Sequence, residues 1–315
     1  MIFTLLEVVL PVFLVIGAGY TAARLKVFKD SGVDGLMVFT QRFAIPCLLF
    51  SAVSSIDLEA EFDTGLMVSF YLGAFISFVL GIFGARMLFQ RRWGEAVAIG
   101  FAALFSNSVL LGLSIIERAF GAEALTSAYA IVVLHAPFCY VIGITVMEIL
   151  RADGKGLLQA LAMVTKSIAT NALMIGVGLG LLANFTGFTP PTVGNDALDM
   201  MIRAALPAAL FGLGGILTRY TIADKLAQVG MIALLSLIVH PTITWLLATQ
   251  VFELPARMVQ AAVVTAAMAP GVNAYIFASM YNRAMGVNSS AVLLCTILSV
   301  GSATVWLSIL SLIHI

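Results

Sequence analysis

Ten long apolar stretches dominate this sequence, and each is about as long as a membrane-crossing helix. A helix needs roughly 20 apolar residues to cross the hydrocarbon core of a bilayer, and charged or Pro/Gly-rich breaks cut the 315-residue chain into pieces of that size. Of all residues 61% are hydrophobic and 10% are charged, which is more apolar surface than a soluble fold can bury. We therefore predict an all-α membrane protein with ten transmembrane helices. The expected spans are 4–23, 33–55, 64–89, 95–116, 124–148, 157–185, 197–217, 226–249, 258–281 and 288–312.

Charged residues separate by sign between the loops that connect these spans. The odd-numbered loops contain eleven Lys or Arg, whereas the even-numbered loops contain two Arg and nine Asp or Glu. Because basic loops stay in the cytoplasm, we expect a multi-pass protein of the cell membrane with both termini on the non-cytoplasmic side. The sixteen basic and sixteen acidic residues balance, so no net field attracts nucleic acid. The basic residues of the odd loops are Arg24, Lys26, Lys29, Arg86, Arg91, Arg92, Arg151, Lys155, Arg219, Lys225 and Arg283.

The two halves of the chain repeat short motifs in the same order. RFAIPCLLF at 42–50 matches RAALPAALF at 203–211, and ERAFG at 117–121 matches NRAMG at 282–286. The repeating unit has five spans, and because five is odd, the second copy must enter the membrane upside down. Inverted repeats of this kind are typical of transporters, with binding near mid-membrane.

We assign the first repeat to 1–150 and the inverted second repeat to 157–315.

The fourth and ninth spans carry helix-breaking residues at equivalent places. The fourth passes through 105–108, with Ser106 and Asn107, and the ninth through 269–273, with Pro270, Gly271 and Asn273. Proline and glycine are costly in a helix interior, and broken helices survive at membrane depth only where the freed backbone faces protein or a cavity. Helix N-termini at such breaks favour anions. We predict that both asparagines contact a substrate there; the alternative is that each caps its own helix.

Ionisable residues deep in a span are costly and usually functional. The deep ones are Arg42, His135, Lys166, Arg203 and His240, and no Asp or Glu lies in the middle of a span. Buried carboxylates commonly serve cation and proton exchangers, so this pattern favours an anionic cargo. Arg42 and Arg203 either contact the anion or extend to the membrane surface. His135 is a candidate site residue, whereas we interpret His240 as a core histidine and Lys166 as a surface-reaching lysine.

At these residues the sequence resembles the auxin efflux carrier family, which includes plant PIN-formed carriers and bacterial malonate and malate carriers. The resemblance extends over the whole chain. It is carried by FAIPCLLF at 43–50, the stretch 107–112, VVLH at 132–135 and IFASMYN at 276–282. It implies a homodimeric, two-domain elevator transporter whose substrate binds at two crossing broken helices.

The resemblance also implies a division of labour between helices. A scaffold with the dimer surface corresponds to 1–55 and 157–217, and a transport domain to 62–150 and 225–315. Asn107 matches the family's asparagine in the fourth helix, and the pair Pro270-Gly271 matches its break in the ninth.

Some residues depart from the plant members of that family. Ser106 stands where they have proline, His135 stands where they have glutamine, and their large cytoplasmic loop is reduced to about 151–156. Asn273 has no plant counterpart that we can assign. These departures favour the bacterial type and a small dicarboxylate.

We therefore predict a secondary transporter of small organic anions, most simply a dicarboxylate such as malonate or malate. Membrane potential, H⁺ or Na⁺ would drive it, and no resident cofactor or metal is expected. An efflux carrier for an auxin-like aromatic monocarboxylate is the alternative. A channel or sensor is more remote because the repeat is less expected there. An intramembrane enzyme is equally remote because the sequence lacks an HExxH zinc motif and a GxSxG nucleophile turn.

Overall fold

A computed structural model gives the fold and describes residues 2–57, 61–150, 162, 165–166, 169–220 and 225–312. Over these residues the regular structure is helical, and an isolated antiparallel bridge joins Ser106 to Pro270. Arg151 and Lys155, predicted in a cytoplasmic loop, lie outside the described residues. The helices are α1 (Ile2–Arg24), α2 (Asp30–Ser55), α3 (Thr64–Met87), α4 (Trp93–Leu104), α5 (Leu113–Phe120), α6 (Ala122–Leu150), α7 (Ala172–Thr186), α8 (Thr192–Leu217), α9 (Leu226–Val251), α10 (Ala256–Ala266), α11 (Val272–Met280) and α12 (Met285–Leu312).

Seven helices in the described part of the chain are long and apolar enough to cross a membrane. They are α1, α2, α3, α6, α8, α9 and α12, which coincide with seven of the ten predicted spans. The remaining three predicted spans contain shorter helices. The fourth is divided into α4 and α5, the ninth into α10 and α11, and the sixth contains the 15-residue α7.

The predicted sixth span from 157 to 185 is interrupted at Asn171, and much of the part before that residue lies outside the described residues. The side chain of Asn171 accepts a hydrogen bond from the backbone N–H of Leu173 at 2.9 Å, which caps a new helix at Ala172. An asparagine in that position satisfies a helix-terminal N–H group. Lys166 precedes this cap and is exposed, so it is not buried in α7.

The chain divides into two compact units. Unit 1 comprises Met1–Val9, Phe62–Val164 and Tyr220–Ile315, and unit 2 comprises Leu10–Glu61 and Thr165–Arg219. Both interrupted helices belong to unit 1.

Unit 2 is packed through glycines that let helix backbones touch. A methyl group on Gly19 of α1 would lie 1.9 Å from the carbonyl oxygen of Phe211 in α8, and one on Gly214 of α8 would lie 1.9 Å from that of Ile16. Small residues at such crossings are how apolar helices gain contact in lipid, where no hydrophobic force drives them together. The side chain of Asn184 in α7 also donates to three carbonyls at the end of α2. The described helices of unit 2 are therefore closely packed.

Unit 1 combines close packing with buried polar groups. A methyl group on Gly81 of α3 would lie 2.8 Å from Cα of Gly100 in α4. His240 of α9 is fully buried; its Nε2 is 3.1 Å from the carbonyl oxygen of Phe70, and the two rings pack with centroids 5.0 Å apart. The interpretation of His240 as a core histidine agrees with this position.

Candidate functional site

The first break lies between α4 and α5. Helix α4 ends at Leu104, Phe105 is extended (φ −94°, ψ 91°), and Asn107 has φ −78° and ψ 58°. A π-helical turn over Ser108–Gly112 then leads into α5. Single π turns are frequent at functional sites because they leave backbone groups without their usual helical partners. The predicted interruption at 105–108 is confirmed.

The second break lies between α10 and α11. Helix α10 ends at Ala266, and α11 begins after Gly271, whose backbone is extended (φ −73°, ψ 164°). Pro270 lacks an N–H group and cannot continue the helix. The interruption predicted at 269–273 is therefore present, although the chain leaves helical geometry two residues earlier than expected.

The two breaks pair with each other through their backbones. The N–H of Asn107 donates to the carbonyl of Ala269 at 2.8 Å, and the N–H of Gly271 donates to the carbonyl of Phe105 at 2.9 Å. Between these bonds, Ser106 and Pro270 form the antiparallel bridge. Each break thus donates one backbone hydrogen bond to the other, which lowers the cost of freed backbone groups at membrane depth.

Helix α6 supplies the remaining donors for the first break. Cys139 Sγ lies 3.9 Å from the carbonyl oxygen of Leu104, and His135 Nε2 lies 3.2 Å from that of Ser106. Together with the bond to Gly271, these contacts give three consecutive carbonyls, at 104, 105 and 106, three different donors. Such complete pairing holds the break in one conformation.

Asn107 has a buried donor with no partner. Its side chain is 7% exposed, and its Nδ2 has no hydrogen-bond partner among the described residues. The side chain does not cap the following helix; the backbone carbonyl accepts from Leu111 and Gly112 instead. A buried amide left unpaired costs about 1–3 kcal/mol, which a bound acceptor would remove. The alternative prediction, that the Asn107 side chain caps its own helix, is therefore wrong.

Asn273 lies in the first turn of α11 and is half-buried. Its Oδ1 accepts a hydrogen bond from the phenol of Tyr140 at 3.2 Å. Because Gly271 occupies the N-cap position, the Asn273 side chain is not a cap either. With its acceptor occupied by Tyr140, the amide has its Nδ2 group left to donate.

His135 differs from the asparagines because both of its ring nitrogens face protein groups. Nε2 is directed to Ser106, while Nδ1 lies 3.8 Å from Sγ of Cys139. Its ring also packs edge-on against Phe105 at a centroid distance of 4.8 Å. This geometry lets the imidazole support the break.

The structure gathers six of the eight predicted site residues in unit 1. Ser106, Asn107, Pro270 and Gly271 form the paired breaks, and His135 and Asn273 flank them. Ser106 Oγ also lies 2.8 Å from Oγ of Ser108.

The two arginines are in unit 2. Arg42 lies in a π-helical turn of α2 and Arg203 in α8, and both are exposed.

Three contributors, Phe105, Cys139 and Tyr140, were not predicted from the sequence. Cys139 follows His135 by four residues, so the two share a face of α6. That spacing could have indicated the thiol, because His135 and Cys139 lie about one turn apart, and Tyr140 follows directly in the chain. Phe105 packs against Tyr140 at a centroid distance of 5.9 Å.

Apolar membrane-length helices, with two interrupted helices paired at buried polar groups, are the architecture of a multi-pass membrane transporter. The comparison with known families agrees: the model of the membrane transport protein family matches residues 4–307. The chain belongs to this family, the auxin efflux carriers, which are transporters and not enzymes. It is also 27% identical over 303 residues to a protein of Rhizobium meliloti (strain 1021) named "Putative malonate transporter", covering 94% of this chain and 92% of that relative.

Proposed function

We propose that this chain is a secondary transporter of small organic anions and that its cargo is a short dicarboxylate such as malonate or malate. The observation that carries the proposal is the buried, unpartnered Nδ2 of Asn107 at the paired breaks. The name of the Rhizobium meliloti relative adds support for malonate.

The chemistry of the paired breaks suits a carboxylate. The segments that begin at Ser108 and Val272 are helix N-termini, whose first N–H groups have no partner within the helix, and a helix N-terminus attracts negative charge. The Nδ2 groups of Asn107 and Asn273 add neutral donors, so no further full charge has to be buried. Each donor to a charged oxygen contributes about 1.5–3 kcal/mol. His135, Ser106, Pro270 and Gly271 act by shaping this site.

We further propose an elevator mechanism with ten spans in two inverted repeats. In it, 1–55 and 157–217 form a scaffold and 62–150 with 225–315 form the transport domain. The boundaries of unit 1 and unit 2 support this division, since unit 2 contains most of the proposed scaffold, except that Met1–Val9 belongs to unit 1. The scaffold helices would pair two copies of the chain, and size measurement of the purified protein by light scattering tests that.

Arg42 and Arg203 are proposed to assist the anion at entry and exit. They hold equivalent positions in the repeat, and both are exposed. Arg to Lys keeps the charge but loses the planar guanidinium, whereas Arg to Gln removes the charge. Normal transport with unchanged salt dependence in all four variants would exclude both residues from the mechanism.

We propose that both termini lie on the non-cytoplasmic side. The driving force is membrane potential, H⁺ or Na⁺. The distribution of basic loops supports the orientation. A reporter fused to the C-terminus that signals from the cytoplasm contradicts it. Imposing each gradient separately on proteoliposomes identifies the driving force.

The test of the function itself is uptake of labelled malonate into proteoliposomes. We expect saturable uptake that unlabelled malonate and malate reduce, and little uptake with the Asn107→Ala variant. Uptake that neither saturates nor responds to competitors indicates a channel. Absence of uptake with every dicarboxylate tested would refute the proposed cargo.

An auxin-like aromatic monocarboxylate is the second candidate, and the aromatic side chains beside the breaks favour it. Phe105 and Tyr140 lie against each other, and Phe101 stacks on Phe277 with centroids 3.9 Å apart. Indole-3-acetate separates the two candidates. If it competes with malonate better than malate does, the aromatic cargo is correct.

A further inference from the structure

A basic pocket in unit 1 lies apart from the paired breaks, where the α3–α4 connection meets the start of α9. Its volume is about 540 Å³. The side chains around it carry three cations and one carboxylate. The lining residues are Phe89, Gln90, Arg91, Arg92, Glu95, Lys225, Ala227 and Gln228.

Arg91 gives the pocket a fixed wall. Its guanidinium forms an ion pair with Glu95 at 3.3 Å and donates to Oε1 of Gln228 at 2.9 Å. The backbone is fixed as well, because the N–H of Arg91 donates to the carbonyl of Ala85 and its carbonyl accepts from Arg86. The acid is therefore engaged by Arg91, and Arg92 and Lys225 are left as the exposed cations of the pocket.

Exposed apolar side chains stand next to the lining residues in the chain, and we call them the apolar rim. Met87 and Leu88, at the end of α3, are 77% and 71% exposed, and Leu226 at the start of α9 is also exposed. Trp93 is half-exposed beneath the guanidinium of Arg86, whose Cζ lies 4.8 Å from the ring centroid. Tryptophan in this setting is typical of the membrane–water interface. An occupant of this pocket must satisfy cations and cover apolar side chains at once.

We propose that the pocket binds the head group of an anionic phospholipid, with its phosphate between Arg92 and Lys225 and its acyl chains over Met87, Leu88 and Leu226. Charge complementarity and the apolar rim favour a lipid over a free anion, because phosphate or a carboxylate cargo would leave the rim uncovered. The pocket lies between basic loops predicted to be cytoplasmic, where anionic lipids attract basic segments.

The test is native mass spectrometry of the purified full chain with phosphatidylglycerol and, separately, with phosphatidylcholine. We expect preferential retention of phosphatidylglycerol, weakened roughly fivefold for each cation removed. Lys225→Gln tests the loss for one cation. The double variant Arg92→Gln, Lys225→Gln should no longer retain phosphatidylglycerol in preference to phosphatidylcholine. Lys166→Gln is the matched control: it removes the same charge from an exposed lysine in unit 2 and should change nothing.

Three outcomes overturn the proposal. One is equal retention of both lipids by the unmodified chain. Another is equal loss of retention in Lys225→Gln and Lys166→Gln, which indicates general charge attraction. The third is displacement of phosphatidylglycerol by inorganic phosphate or malonate, which indicates an anion site without a lipid. The lipid-binding measurement does not require transport, so its failure and the failure of the proposed function can be distinguished.

Discussion

The two breaks occupy equivalent positions in the predicted repeat but hold their asparagines differently. At the first break the backbone is fixed by donors from α6, and Asn107 is buried with a free Nδ2. At the second break Asn273 is half-buried and its Oδ1 is tied to Tyr140. The donor at the first break, Nδ2 of Asn107, is therefore fixed by its surroundings. The donor at the second break, on Asn273, is oriented by its neighbour Tyr140. We therefore expect unequal effects when the two breaks are changed in matched ways.

The largest effect is expected for Asn107→Asp. This substitution replaces a buried donor by a negative charge beside the anion, so both the lost bond and the repulsion act against binding. We expect malonate affinity to fall by about 100-fold or more and uptake to disappear, with Asn107→Ala less severe. Asn195→Asp, in an exposed position of unit 2, is the control for added charge and should transport normally. Equal uptake by the two Asp variants would contradict the assignment.

A smaller effect is expected for His135→Leu, which removes the donor to the Ser106 carbonyl. Leaving a buried carbonyl unpaired costs about 1–3 kcal/mol, and the lower end applies because Ser108 Oγ remains 3.4 Å away. His135→Leu should lower both the malonate affinity and the thermal stability, and His135→Gln should restore both. His240→Leu is the matched control, because it removes a similar bond to the Phe70 carbonyl. It should lower thermal stability but leave malonate affinity unchanged; if His135→Leu behaves the same way, His135 does not support the site.

Tyr140→Phe should have a still smaller effect. It removes the hydroxyl that orients Asn273, and one neutral hydrogen bond contributes about 0.5–1.5 kcal/mol, or roughly two- to twelvefold in affinity. Tyr71→Phe is the control, since that hydroxyl donates to the Ile131 carbonyl at 2.6 Å. Combined with Asn273→Ala, the Tyr140 change should add little, because its partner is already gone. Full additivity in that double variant would show that Tyr140 acts on something else.

Gly271→Ala is expected to have the smallest effect, although the glycine lies at the break. Its φ of −73° is open to any residue, and a methyl group there would meet Phe105 at 3.4 Å and Asn107 Cα at 3.6 Å. Malonate affinity should change by less than about 0.5 kcal/mol. Gly143→Ala gives the contrast, because its methyl group would lie 2.4 Å from the ring of Phe101 and should lower thermal stability. A large loss of binding in Gly271→Ala would mean that the second break has to move closer to the first than it lies here.

Hydropathy and helix-breaking residues predicted much of this architecture from the sequence. Seven of the ten predicted spans coincide with the long apolar helices of the described residues, because span length is set by bilayer thickness. The second break was predictable since Pro270 and Gly271 are locally unfavourable in a helix. The start of α7 was missed because Asn171 sits within an apolar region, where a cap is hard to recognise from hydropathy.

The partners within the site could not be predicted to the same extent. Asn107 and Asn273 were identified by their places in the repeat, but their different environments depend on Tyr140 and on the pairing of Asn107 with Ala269. Those contacts join residues far apart in the chain, and neither periodicity nor spacing encodes them. His135 was predicted as a substrate-binding residue, and its contact with the Ser106 carbonyl could be seen only in the fold.

The most direct test of the central claim is calorimetric titration of malonate into the purified, folded chain and its Asn107→Ala and Asn273→Ala variants. If both asparagines donate to the cargo, the dissociation constant should rise roughly 10- to 150-fold in each variant. The Asn107 variant should be affected at least as strongly, because its donor is the more buried. Circular dichroism confirms that helix content is retained. Near-normal affinity in both folded variants would contradict the account and remove the asparagines from the binding site.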